Sequence, residues 1–189
     1  MKMSRQLTTS LTDALVTWSV LYFIYNVFWV NFFACVGLGI QGTAAALGVI
    51  RFAQSRPQSQ IYDYHQMMFW LSQVVGLPLL AVGFCHKDMP VMMNLNLMIM
   101  AAVLIGSNFL APGMRQLATE SCAGFGMLTI IIVSVRTWNI YAVLASAVYI
   151  VSSKVIGTEG KMGIFLRVDI HHVGISLGNA LYTWGMMNV

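Results

Sequence analysis

The sequence predicts an all-α fold: a polytopic membrane helix bundle with seven transmembrane helices and a cytoplasmic N-terminus. Three observations predict it. Charge is scarce, since ten Lys+Arg and six Asp+Glu make up 8% of 189 residues, where a soluble domain carries about 25%. Apolar residues make up 58% even before the sixteen glycines are added. The cations sit at the ends of apolar runs, as snorkelling and topology-setting side chains do. So few charges cannot clothe a small water-soluble fold, which excludes a soluble enzyme and a disordered chain. The net charge of +4 is not a nucleic-acid footprint, because such a footprint needs Lys and Arg gathered on one face.

A hydrocarbon core takes about 20 helical residues per crossing. No charge interrupts the stretch between Asp13 and Arg51. As one helix it would run about 55 Å, so it divides into spans at 9–26 and 30–53. The turn falls near 26–29, where Trp29 and Asn31 suit an interface. Gln54–Gln60 is a polar loop, and span three follows at 63–85, ending at His86-Lys87-Asp88-Met89-Pro90. Span four, 91–111, is closed by Ala111-Pro112-Gly113, and span five is 117–135. Arg136-Thr137-Trp138-Asn139 turns the chain into span six, 139–154. Gly157–Lys161 is a loop before span seven, 165–187. All seven form one domain over residues 1–189. The alternative count is six, if the first two spans are one broken helix.

Charge placement agrees with seven. One side receives Lys2, Arg5, Arg51, Arg56, Arg115, Lys154, Lys161 and Arg167; the other receives Lys87 and Arg136. That asymmetry places the N-terminus in the cytoplasm. The first apolar run lacks a small-residue cleavage pattern and reads as an uncleaved signal anchor. The three cysteines, Cys35, Cys85 and Cys122, fit no zinc or redox spacing and read as free thiols in apolar surroundings.

Span seven is the most informative segment. Asp169, His172, Ser176, Asn179 and Thr183 recur at helical spacing and so share one face. In hydrocarbon that face must turn inward. It then serves either as interhelical glue or as a ligand or proton path. His65, Asp169 and His172, with Asp63 and His171 nearby, are the possible ligand or metal residues; no resident cofactor is assigned. Adjacent histidines point about 100° apart on a helix, which disfavours one ion between His171 and His172. Glu120 is expected to pair with Arg115. Gln66, Ser72, Gln73, Asn94, Asn96, Ser107, Asn108, Asn139, Ser146 and Ser152 are expected to line the interior. Gly37-Leu-Gly39-Ile-Gln-Gly42 has the spacing of a dinucleotide loop but lies within a predicted helix, where small residues allow close helix packing. Met67, Met68, Met89, Met92, Met93, Met98 and Met100 gather in spans three and four; such side chains suit packing against lipid or a partner.

The run Val74–Ala81, the following Asn94 and the segment Leu128–Tyr141 resemble the corresponding parts of the transmembrane protein 276 family. That resemblance implies a multi-pass membrane protein and brings no site residues with it. The layout is also similar to that of seven-span intramembrane hydrolases of the ceramidase and progestin-receptor type. Those place two histidines one turn apart on the last helix, whereas His171 and His172 are adjacent here.

Function is therefore expected to be that of a non-enzymatic component binding lipid or a partner. Its surroundings are the lipid bilayer, with a membrane-protein partner or a homo-oligomer and no nucleic acid. The alternatives are a metal-dependent lipid hydrolase using Asp169, His172 and His65, and a small transporter along the span-seven stripe.

Overall fold

The structure, a computed structural model, describes residues 6–85 and 89–188. Lys2, Arg5 and Lys87, which enter the charge comparison, lie outside the described residues. Among those described, seven helices run in chain order: α1 (Leu7–Val27), α2 (Phe32–Ala53), α3 (Ser59–Cys85), α4 (Pro90–Phe109), α5 (Pro112–Arg136), α6 (Ile140–Ile156) and α7 (Arg167–Met187). A two-stranded antiparallel hairpin, β1 (Lys161–Met162) and β2 (Phe165–Leu166), leads into α7. Five helices, α1 to α5, are long and apolar enough to cross a membrane. Helix α6 is apolar but shorter. Helix α7 has the length, at 21 residues, but its polar stripe lowers its apolarity.

Helix ends reach beyond the hydropathy windows. Helix α3 starts at Ser59 and α5 at Pro112, because a helix can continue through polar residues that hydropathy excludes. Pro90 and Pro112 stand at the first helical position of α4 and α5, where the missing N–H costs nothing. The α1–α2 turn has neither Gly nor Pro. Asn31 makes it instead: its Oδ1 accepts from Ala34 N at 3.1 Å, and its Nδ2 donates to Gly83 O on α3 at 2.6 Å. Asn139 repeats the device at α6, accepting from Ala142 N at 3.1 Å and donating to Gly185 O on α7 at 2.8 Å. Gly157, at φ 68°, ends α6 in a conformation that favours glycine.

The helices approach through small residues. A Cβ on Gly37 would lie 2.5 Å from Gly76 O, so the α2 and α3 backbones are in contact there. A Cβ on Gly42 would lie 2.8 Å from Val20 Cγ1 on α1, whereas one on Gly39 would meet only Ile24 at 3.8 Å. The dinucleotide-like spacing is therefore helix packing. The core is built on Val16, Val20, Phe23, Leu38, Leu80, Ile130 and Tyr182. Cys35, Cys85 and Cys122 are buried and free. Helix α3 carries a π-helical segment at Ser72–Gly76; before it no residue of Ser59–Leu71 is buried, and after it seven residues from Pro78 to Cys85 are. Helix α4 is the most exposed, with 11% of its apolar window buried against 39–56% for the other four spanning-length helices.

Candidate functional site

Alternating helix direction brings the starts of α1, α3 and α7 and the end of α2 together. Their polar residues form an ionisable layer. Thr9 and Asp13, one turn apart on α1, are both buried. Thr9 Oγ1 donates to Asp169 Oδ1 at 2.7 Å. His172 Nδ1 lies 3.2 Å from Thr12 Oγ1 and 3.4 Å from Asp13 Oδ1. Gly48 on α2 makes room for this carboxylate, because a Cβ there would collide with Asp13 Oδ2. One turn on, Arg51 Nη1 donates to His65 Nδ1 at 2.9 Å. A guanidinium has no acceptor, so this contact makes His65 Nδ1 the acceptor and its ring neutral. The Arg51 guanidinium also lies 4.3 Å over the Tyr62 ring and 4.8 Å over that of Phe52. Asp13 Oδ2 and Arg51 Nε are buried without hydrogen-bond partners.

Toward the middle of the bundle lies a second layer, uncharged. Asn179 Nδ2 donates to Ser19 Oγ at 2.9 Å and to Gln41 Oε1 at 3.2 Å. The Tyr149 hydroxyl is bonded to Gln41 Oε1 at 3.0 Å and to Asn179 Oδ1. Tyr182 OH meets Ser146 Oγ at 3.0 Å and Met127 Sδ at 3.7 Å. These bonds tie α1, α2, α6 and α7 together, with α5 joined through Met127.

The predicted stripe faces inward throughout: Asp169, Ser176, Asn179 and Thr183 are buried and His172 is half-buried. Not all of it bridges helices. Ser176 and Thr183 turn their hydroxyls to His172 O and Asn179 O of their own helix, each at 2.9 Å. His171 turns away from the layer, and its Nδ1 donates to Ser152 O on α6 at 2.9 Å. Asp63 is exposed and takes no part. Among the described residues, no group of three or more His, Cys, Asp or Glu is arranged to hold a metal ion. His65, Asp169 and His172 instead face Arg51, Thr9 and Asp13 respectively.

Two expectations are corrected. Glu120 pairs with Lys154 at 2.9 Å, not with Arg115. Glu120 and Arg115 are five residues apart, which puts them about 140° apart around α5; the Arg115 guanidinium lies 4.9 Å over the Trp70 ring. Asn94, Asn108 and Gln66 are exposed, not interior, while Asn96, Ser107, Ser146 and Ser152 are buried as expected. The difference is one of helix face: Asn94 and Asn96 are two residues apart and so point in nearly opposite directions.

Sequence reasoning missed Thr9, Thr12, Asp13, Ser19, Gln41, Gly48, Arg51, Tyr149 and Tyr182. A signal was present for Asp13, which is the single carboxylate among residues 1–62. A hollow of about 350 Å³ at the opposite end of the bundle, lined by Thr137–Tyr141 and Asn188, shares no residue with either layer. No protein-family model matches this chain, and neither a curated protein nor a solved structure matches it.

Proposed function

We propose that this chain is an integral membrane protein of seven spans with a cytoplasmic N-terminus. It acts as a non-enzymatic component that binds lipid or a membrane partner. One observation carries this reading. The hydrogen-bonding side chains of α1, α2, α6 and α7 are turned inward and bonded across helices, while Leu11, Trp18, Met98, Ile105 and Phe109 face outward. Hydrocarbon surroundings favour that distribution and water does not. Charge supports the orientation: of the described cations, Arg51, Arg56, Arg115, Lys154, Lys161 and Arg167 gather at one end and Arg136 stands at the other. The likeness to the transmembrane protein 276 family supports the same multi-pass reading. The scaffold role rests on the polar interior being occupied by its own bonds.

Alkaline washing of membranes is the first test. The protein is expected to stay in the pellet, and release into the wash overturns the membrane reading. Purification in mild detergent is the second. A stable complex with lipid, a partner or a second copy is expected, and a bare monomer overturns the scaffold role.

A second reading is favoured by Asp13 Oδ2 and Arg51 Nε, which are buried and unpartnered beside His172. Intramembrane ionisable groups of this kind mark proton or ion paths. In that reading Asp13 and His172 exchange a proton, and Asp13→Asn abolishes a proton flux in proteoliposomes; flux equal to the parent's sinks it. The hydrolase alternative with His65, Asp169 and His172 requires His65 to leave Arg51, and elemental analysis without near-stoichiometric transition metal ends it.

A further inference from the structure

Helix α4 packs its Asn96 and Ser107 face inward, with Asn96 Nδ2 donating to Thr129 Oγ1 on α5 at 2.9 Å. Its other face is bare and regular. Val91, Asn94, Met98, Ala101, Ile105 and Asn108 follow at alternating steps of three and four, and all six are exposed. Val91, Met98 and Ile105 are 69%, 67% and 68% exposed, the line furthest from the bundle. This is the a/d pattern of a coiled-coil seam held across the whole helix, with Asn94, Ala101 and Asn108 on the d line.

Lipid alone does not account for that line. A primary amide has two N–H donors and an acceptor oxygen. Among the described residues neither Asn94 nor Asn108 spends its side chain on a hydrogen bond, and facing acyl chains such groups are costly. Another amide in the same position satisfies both, since the oxygen of one accepts from the nitrogen of the other. We propose that α4 is a homodimerisation helix that meets the α4 of a second copy of this chain along this seam. Insertion fixes the same orientation for both copies, so the helices are parallel and each seam residue faces its own counterpart across a two-fold axis. Ala101 lets the axes close at mid-helix. The heptad repeat sets a left-handed crossing of about 20°. A buried Asn at a seam position fixes register and number of strands. The proposal rests on the reading that the helices span a membrane.

Cysteine cross-linking in native membranes tests it. The native thiols, Cys35, Cys85 and Cys122, are all buried and supply a quiet background. On oxidation Met98→Cys and Ile105→Cys are expected to give a species of twice 20.9 kDa. Leu177→Cys, 54% exposed on α7, is expected to stay monomeric. Asn94→Leu is expected to lower the dimer-to-monomer equilibrium about threefold, the measured scale of one interhelical hydrogen bond in a membrane, and Asn94→Gln to restore most of it. Protein that remains in the alkaline-washed pellet but does not cross-link at α4, cross-links equally at Leu177, or gives adducts of another mass overturns the dimer alone. Release into the wash overturns the spanning reading and the dimer with it.

Discussion

Asp13 shows how closely this interior is fitted. Its carboxylate occupies the space that any side chain on Gly48 would need. Gly48→Ala is therefore expected to force α1 and α2 apart or expel the carboxylate, at a cost of about 1–3 kcal/mol. Gly39→Ala is the control, since its added methyl meets only ordinary contact at 3.8 Å; thermal unfolding in detergent compares the two. Asn179 and Thr183 make a similar pair. Asn179 bonds to Ser19, Gln41 and Tyr149 on three other helices, whereas the Thr183 hydroxyl bonds only within α7. Asn179→Ala is expected to destabilise by about 1–3 kcal/mol and Thr183→Ser by much less, measured the same way. At this scale the sequence was legible on one helix at a time. The spacing of Asp169, His172 and Asn179 revealed a shared face, but spacing along one helix carries no news of its partners. Asp13, Gln41 and Tyr149 lie on three other helices, and Asp13 sits within an apolar run where it served only to mark an edge.

Among the elements, the two asparagine-capped turns carry most of the connection between neighbours. Asn31 and Asn139 each cap one helix with the amide oxygen and hold another with the amide nitrogen. Asn31→Asp keeps the acceptor and loses the donor; Asn31→Ala loses both. The expected order of thermal stability is parent, then Asp, then Ala, with the Ala variant lower by about 1–2 kcal/mol. An Asp variant equal to the parent would show that the bond to Gly83 contributes nothing. Helix positions were legible from hydropathy, because long apolar runs between polar breaks leave little choice. Helix ends were less so, and the π turn of α3 not at all: no residue type announces it, and its partner is the backbone contact of Gly37 with Gly76.

Over the whole molecule, cation placement makes a sidedness prediction. Single cysteines at Gln58 and Thr158 are expected to react with an impermeant thiol reagent from the cytoplasmic face, and one at Thr137 from the opposite face. Gln58 and Thr137 labelled from the same face would remove the alternating topology. Sidedness is legible in sequence because charges resist passage through hydrocarbon whatever their neighbours. The polar interior was legible only as a single stripe, since its two layers exist only once four helices have packed.

The change in α3 at its π turn has a consequence for access. The half of that helix after the turn is sealed within the bundle, while the half before it rests on the periphery. His65 belongs to the outer half, and with Arg51 it forms the thin wall between the outside and Asp13. Amide hydrogen exchange is accordingly expected to be fastest along Ser59–Leu71 within α3. A breathing motion of that one half-helix opens a side door to the carboxylates while the rest of the bundle stays shut.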